Sequence, residues 1–190
     1  KQARFWASSY EDKRPELTNA QRKMLSHYDN ATLYNDSIVA QIVKRFQKQD
    51  AIVIYVPDHG EECYEENRGF ICRNHSAEID WPLAHYEFEI PFWIYCSPKY
   101  IRNHRDIYRQ IRKAKDKRFM TDALPHLLLY LAGIETPTYK EEYNILSPKY
   151  DEMRPRILKN SADYDKLRDA HLEKIKKEES KKVKKKERRN

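Results

Sequence analysis

The chain has 190 residues, 39% of them hydrophobic and fourteen of them tyrosine, which is enough apolar material for one folded domain and too much for a disordered one. Its formal charge of +7 is uneven: residues 171–190 hold ten Lys/Arg against four Glu, so residues 1–170 are nearly neutral at +1. That argues against a nucleic-acid module, which spreads basic and aromatic residues over its folded body, and no stretch approaches the ~20 consecutive apolar residues of a membrane span.

The chain opens at Lys1 with "KQARFWASSYEDKRPEL", which reads as an extended segment entering from sequence upstream. Thr18 and Gln21 form a capping-box signature, and Leu25, Tyr28, Ala31, Ile38, Val39, Ile42, Val43 and Phe46 follow at spacings of three and four, predicting a helix over 18–48. "AIVIYV", 51–56, is a continuous β-branched run without alternation, as expected of a parallel strand covered on both faces, and "IPFWIYCS", 90–97, reads likewise. Between them, residues 60–89 form a polar segment too long for an ordinary connection, the kind that is usually functional. "IRNHRDIYRQIRKAK" reads as a surface helix, and "MTDALPHLLLYLAGI" as an amphipathic to apolar helix over 120–132, with Asp122 near its start and Gly133 as its terminator. This order predicts an α/β domain with a mainly parallel central sheet sandwiched by helices.

The first strand ends in Asp58, His59, Gly60, Glu61 and Glu62. In open α/β sheets ligands collect at the carboxyl ends of strands. Neighbouring strand residues point to opposite faces, so Asp58 and His59 reach one ion only if the chain leaves strand geometry there, which Gly60 permits. Carboxylate oxygen and imidazole nitrogen are good zinc ligands, although an Asp-His-Gly turn is also compatible with a plain hydrogen-bonded loop. Glu61 and Glu62 have the chemistry to move protons or orient His59, but Glu62 is expected to be solvated. Three glycines leave no place for a Gly-rich phosphate loop. Cys63 and Cys72 flank a polar loop and have the option of pairing, while Cys96 reads as a buried thiol.

"YDNATLYNDSIV", "VIYVPDHGEECYE", "NHS", "YEFEIPFWIYCSPKY" and "DALPHLLLYLAGI" occur in this order. Together they resemble the C-terminal half of the catalytic domain of phosphoethanolamine transferases, members of the alkaline phosphatase superfamily with the sulfatase-like fold. The resemblance covers about residues 15–160. It implies a metal-dependent enzyme that moves phosphoethanolamine from a phospholipid donor to lipid A or another glycolipid acceptor through a covalent threonine intermediate. It further implies zinc, with manganese or calcium as alternatives, and a periplasmic domain anchored in the bacterial inner membrane by an N-terminal region. By resemblance Asp58 and His59 are metal ligands, and His75 contacts the substrate phosphate or acts as an acid. The chain has Pro57 where the family usually carries serine.

The family's threonine nucleophile, an acidic ligand and another histidine fall before Lys1, so the chain is expected to hold half a metal site and to be inactive alone. A sulfatase-type ester hydrolase of the same superfamily is the alternative; a basic nucleic-acid or membrane module is a remote one. The expected division is a catalytic part over 1–158 and a basic, partly helical or disordered tail over 159–190. A monomer is expected, with no nucleic-acid partner. His85, His104 and His126 read as structural or exposed, and Tyr28, Asn30 and Asn35 as possible neighbours of the site.

Overall fold

In the computed structural model, which describes residues 3–72 and 78–187, the elements run α1 (Asn19–Phe46), β1 (Ile52–Tyr55), β2 (Glu62–Cys63), β3 (Phe70–Cys72), α2 (Trp81–Phe88), β4 (Trp93–Cys96), α3 (Pro98–Asn103), α4 (Arg105–Ala114), α5 (Leu124–Ala132), β5 (Ile157–Leu158), β6 (Ala162–Asp163) and α6 (Tyr164–Glu187). They fall into two units, residues 1–55 with 93–105 and residues 56–92 with 106–190.

In the first unit α1 starts where its capping box dictates. The Thr18 hydroxyl accepts from the Gln21 amide at 3.3 Å and the Gln21 side chain accepts from the Thr18 amide at 2.8 Å, satisfying two donors that the first turn would otherwise orphan. Leu25 is buried, with Tyr10 and Leu17 of the preceding segment. Asn30 serves as a clasp: its carbonyl accepts from the amides of Arg4 (2.8 Å) and Phe5 (3.2 Å), and its amide donates to the carbonyls of Phe5 (2.8 Å) and Ser26 (2.7 Å). These bonds hold residues 4 and 5 against α1.

β1 and β4 are neighbours, as the two apolar runs require, but they pair antiparallel, Ile52 opposite Cys96 through Tyr55 opposite Trp93. The α/β class stands, and the expectation of a mainly parallel sheet does not extend to these residues: the described strands form three two-stranded antiparallel ladders. An unbroken apolar run says nothing about direction, and here it does not mean full burial either: Ile52–Tyr55 are all half-buried, and in β4 only Cys96 is buried. Direction is set by the route of the 37-residue connection between Tyr55 and Trp93. The Tyr55 and Trp93 rings stack at 5.2 Å across the ladder. Ser97, fully buried, caps α3 by accepting from the Tyr100 amide at 3.0 Å and donates to the Gln49 carbonyl at 2.6 Å, which pins the start of α3 beside the entry to β1. Cys96 is a buried thiol as expected, and burial raises its pKa.

The second unit has its core where α2, the β5–β6 hairpin and the start of α6 meet. Ile79, Leu83, Ala84, Leu158 and Tyr164 are buried there, with Trp81, Phe88, Ala162 and Leu167 packed against them. The segment 60–89 thus contains a hairpin and a helix. Asp80 caps α2 by accepting from the Leu83 amide at 3.0 Å, and Pro82 sits in the first turn where its missing N–H costs nothing. The core cluster runs through the boundary expected at residue 158. Leu158 and Tyr164 belong to it with Leu83, Ala162 packs against it, and α6 continues from Tyr164 to Glu187 as one helix. Gly133 ends α5 in the left-handed conformation at φ 65°, as its place in the sequence predicts. Among the described residues no helix is long and apolar enough to cross a membrane.

Candidate active site

Asp58 and His59 lie in a turn whose shape is set by one close approach. The Gly60 amide donates to the Glu87 carbonyl at the end of α2, 2.8 Å away, and a Cβ on residue 60 would overlap the Tyr86 carbonyl oxygen. Only glycine lets the chain pass that close to the helix end. His59 Nδ1 is 2.6 Å from the Gly60 carbonyl. A carbonyl only accepts, so Nδ1 carries the hydrogen and the Nε2 lone pair of the neutral ring remains available. Nε2 stands 3.5 Å from Asp58 Oδ2.

That arrangement fits a metal ion. A backbone carbonyl holding one ring nitrogen is the usual support for a histidine that ligates through the other, and two ligands of a tetrahedral zinc with ~2.1 Å bonds stand ~3.4 Å apart. Asp58 and His59 have the donor types and spacing that two members of such a set require; among the described residues no group of three or more His, Cys, Asp and Glu side chains gathers. His75, the third residue assigned by resemblance, lies outside the described residues, as does the side chain of Cys72. The backbone register places Cys72 opposite Glu62 and Cys63 opposite Phe70.

The two residues open on a cavity of about 710 Å³ within the second unit. Its walls come from the end of α2, the α4–α5 connection and the β5–β6 hairpin, and carry five cationic side chains against three carboxylates. A network supports one wall. The Tyr164 hydroxyl donates to Glu89, Arg156 lies over the Tyr164 ring at 4.3 Å and donates to Asp165 at 2.6 Å, and Arg118 also donates to Asp165. Burial and the hydrogen bond to Glu89 push the Tyr164 hydroxyl up to about 12. Burial pushes the Glu89 carboxyl upward, but the hydrogen bonds from Tyr164 and His85 outweigh it and leave it below its ordinary value. The hydrogen bond from Arg156 holds Asp165 low against the opposing effect of burial.

Glu62 is fully buried, contrary to the expectation that it is solvated. Arg68 explains how a carboxylate is retained there: it donates to Glu62 through Nε and to Asp80 through Nη1 at 2.5 Å, so one guanidinium bridges the β2–β3 hairpin and the cap of α2. Burial raises the pKa of Glu62, and its Oε2 finds no hydrogen-bond partner among the described residues. Asp122 is held by Arg154 in a two-pronged pair at 2.6 and 2.7 Å. His104 stacks on Tyr100, and His126 accepts from the Lys140 amide at 3.1 Å, both structural as expected.

The chain belongs to the Sulfatase family, whose model matches residues 3–134. Within that family its similarity is to phosphoethanolamine transferases. Phosphoethanolamine transferase EptC of Escherichia coli strain K12 is 30% identical over 141 residues, covering 73% of this chain and 23% of that protein. The Kdo(2)-lipid A phosphoethanolamine 7''-transferase of the same strain is 31% identical over 99 residues, half of this chain and 16% of that one. The crystal structure of the C-terminal periplasmic domain of EptC from Escherichia coli in complex with zinc superposes with a TM-score of 0.66 at 26% identity, covering 85% of this chain and 46% of that one. The chain therefore spans about a quarter of the full-length relative and under half of its solved domain, and corresponds to the C-terminal part of that domain.

Proposed function

We propose that this chain supplies part of the active centre of a zinc-dependent transferase that moves phosphoethanolamine from a phospholipid to lipid A or another glycolipid at the periplasmic side of the inner membrane. The observation that carries the reading is the Asp58–His59 pair, with Nδ1 tied to a carbonyl and Nε2 3.5 Å from the carboxylate, at a cavity with an excess of cations. Membership of the Sulfatase family and likeness to phosphoethanolamine transferases give that pair its chemical context.

In this reading Asp58 and His59 hold one side of the ion, which supplies Lewis-acid polarisation of the phosphoryl oxygen. The Gly60 carbonyl keeps the His59 ring in the ligating tautomer. The donor's phosphorus–oxygen bond to diacylglycerol breaks, a bond to a threonine oxygen outside this chain forms, and an acceptor oxygen then displaces the threonine; the proton lost by each attacking oxygen balances the one gained by each leaving oxygen. Cations along the cavity wall stabilise the phosphoryl charge as it shifts. His75, in the same reading, donates to the phosphate or the leaving group. The test is mass spectrometry of the acceptor lipid beside metal analysis of the purified full-length protein. Addition of a phosphoethanolamine mass to the lipid, dependent on zinc, is the expected result; release of sulfate from an aryl sulfate without any transfer overturns it in favour of a sulfatase.

A further inference from the structure

Helix α6 has two halves with different surroundings. Its first turns belong to the body: Tyr164 is in the core, Leu167 packs against it, Asp165 accepts from Arg156 at 2.6 Å, and His171 stacks on Trp81 of α2 at 5.2 Å. From Leu172 to Lys182 every residue is exposed, while the helix continues unbroken to Glu187. This distal half gains nothing from packing against the body, and a helical stretch so short is marginal in water by itself. Its charge has a pattern. Lys174, Lys177 and Lys181 recur at three and four positions, which puts them on one face of the helix, and Lys184 continues the spacing in the sequence. Lys177 stands 3.8 Å from Glu173, an exposed pair of little strength. Over 171–190 the ten Lys/Arg outnumber the four Glu, so a cationic surplus remains after every such pairing.

We propose that the distal half of α6 docks on an anionic phospholipid surface through the face that carries Lys174, Lys177 and Lys181. Lysine is a compact point charge that attracts phosphate without a fixed geometry, whereas recognition of particular carboxylates or phosphates on a folded partner favours the arginine fork. Residues 172–187 contain eight lysines and no arginine, which suits a diffuse, laterally mobile layer of charge. Single-stranded nucleic acid is held by aromatic platforms among the basic residues, and 172–190 contain no Phe, Trp or Tyr. Leu172 and Ile175, 45% and 38% exposed, add apolar contact that a headgroup layer accepts. Each lysine close to an anionic surface strengthens attachment by roughly fivefold. Tyr164, at the other end of the helix, lines the cavity beside Asp58 and His59, and ten residues of helix, ~15 Å, separate it from Lys174. A docked α6 therefore ties that cavity to the lipid surface at short range. The proposal stands without the transferase reading, which supplies its use: an enzyme whose substrates lie in that surface.

The experiment is hydrogen exchange of the full-length protein with vesicles of phosphatidylcholine alone and with vesicles of equimolar phosphatidylcholine and phosphatidylglycerol. The amides of 172–182 are expected to exchange at least tenfold more slowly with the anionic vesicles, because docking stabilises a helix that is marginal alone. The readout belongs to these residues, so attachment of the protein to lipid elsewhere does not produce a difference that depends on lipid charge. The triple variant K174Q/K177Q/K181Q is expected to lose the protection and K174R/K177R/K181R to keep it, with α2 amides unchanged in both as the check on folding. Protection should also vanish at about 1 M salt, where the screening length falls to ~3 Å. Equal exchange with the two kinds of vesicle, or protection that survives in the glutamine variant, overturns the proposal. Equal protection by an oligonucleotide in place of lipid overturns it in favour of a nucleic-acid partner, and protection that rises with protein concentration in the absence of lipid overturns it in favour of a second copy of the chain. Lysine-dependent protection in a protein that transfers no phosphoethanolamine sinks the transferase reading and leaves the docking helix standing.

Discussion

The Gly60 amide donates to the Glu87 carbonyl at 2.8 Å, and through this bond the end of α2 sets the path of the turn that presents Asp58 and His59. The closeness of that contact is a property of glycine, since any Cβ would run into the Tyr86 carbonyl. Gly60→Ala is expected to destabilise the protein by about 1–3 kcal/mol, the usual cost of forcing atoms into a packed site. Relief requires the turn to move away from α2, so zinc affinity should fall with stability. Thermal unfolding and metal content of the same preparation check both; an alanine variant with unchanged melting temperature and metal would show that the turn does not depend on α2.

How far the sequence reveals this site depends on the range of the interactions. Local signals are legible: the capping box of α1 and the glycine stop of α5 each depend on residues a few positions apart, and each stands where it reads, whereas the Asp-His-Gly turn is legible as a motif but takes its path from Tyr86 and Glu87, more than twenty positions on. The walls of the cavity are not legible. Tyr164 and Glu89 are 75 positions apart, and Arg118 and Asp165 are 47 apart, so nothing near either partner announces the other. The charge of residues 171–190 draws attention to a tail and hides that Leu158 and Tyr164 are core. Glu62 misleads for the same reason: among acidic neighbours it reads as solvated, and only Arg68 and Asp80, brought together by the hairpin and α2, make its burial tolerable.

Asn30 makes four hydrogen bonds that join α1 to residues 4 and 5 and to its own preceding turn. Asn30→Ala leaves the Arg4 and Phe5 amides without their acceptor. The expected cost is about 1–2 kcal/mol, less than four full hydrogen bonds because the exposed amides regain water. Hydrogen exchange should localise the effect: Arg4 and Phe5 should exchange at least tenfold faster while the amides of β1 keep their protection. Uniform acceleration across the chain would point to global destabilisation and count against a local clasp.

Asp165 titrates below the ordinary aspartate value of 3.8, chiefly because Arg156 donates to it, with Arg118 and Arg168 adding positive charge and burial opposing. A depressed folded pKa means that the unfolded chain binds the proton first as pH falls. The stabilisation is therefore complete above the ordinary value and is lost as pH drops through the lower folded value. Asp165→Asn is expected to cost about 2 kcal/mol at pH 7, the scale of hydrogen bonds to charged partners. The gap between wild type and variant should narrow below about pH 4, where the unfolded wild type takes up the proton. Urea unfolding at pH 7 and pH 3 measures it, and a gap that stays constant over that interval would mean that the ionised carboxylate is not what holds the wall together.

His59 performs two tasks with two nitrogens, and they are separable. Nδ1 donates to the Gly60 carbonyl and serves the turn; Nε2, 3.5 Å from the Asp58 carboxylate, is the nitrogen that holds the ion in the proposed transferase. An asparagine side chain places an amide N–H close to where Nδ1 stands and offers nothing at the position of Nε2. His59→Asn should therefore retain the turn, with stability within about 0.5 kcal/mol of wild type, while zinc is lost and transfer falls by roughly a hundredfold or more as the Lewis acid is removed. His59→Ala removes both nitrogens, so it should lose zinc and transfer to the same extent and lose about 1 kcal/mol of stability in addition. Both variants must be compared in the metal-free state, because zinc bound to the folded wild type would add its own stabilisation and mask the smaller term. If metal-free His59→Asn and His59→Ala unfold at the same temperature, the Nδ1 bond contributes nothing. If His59→Asn retains zinc, the ligand assignment fails, and with it the half-site formed by Asp58 and His59.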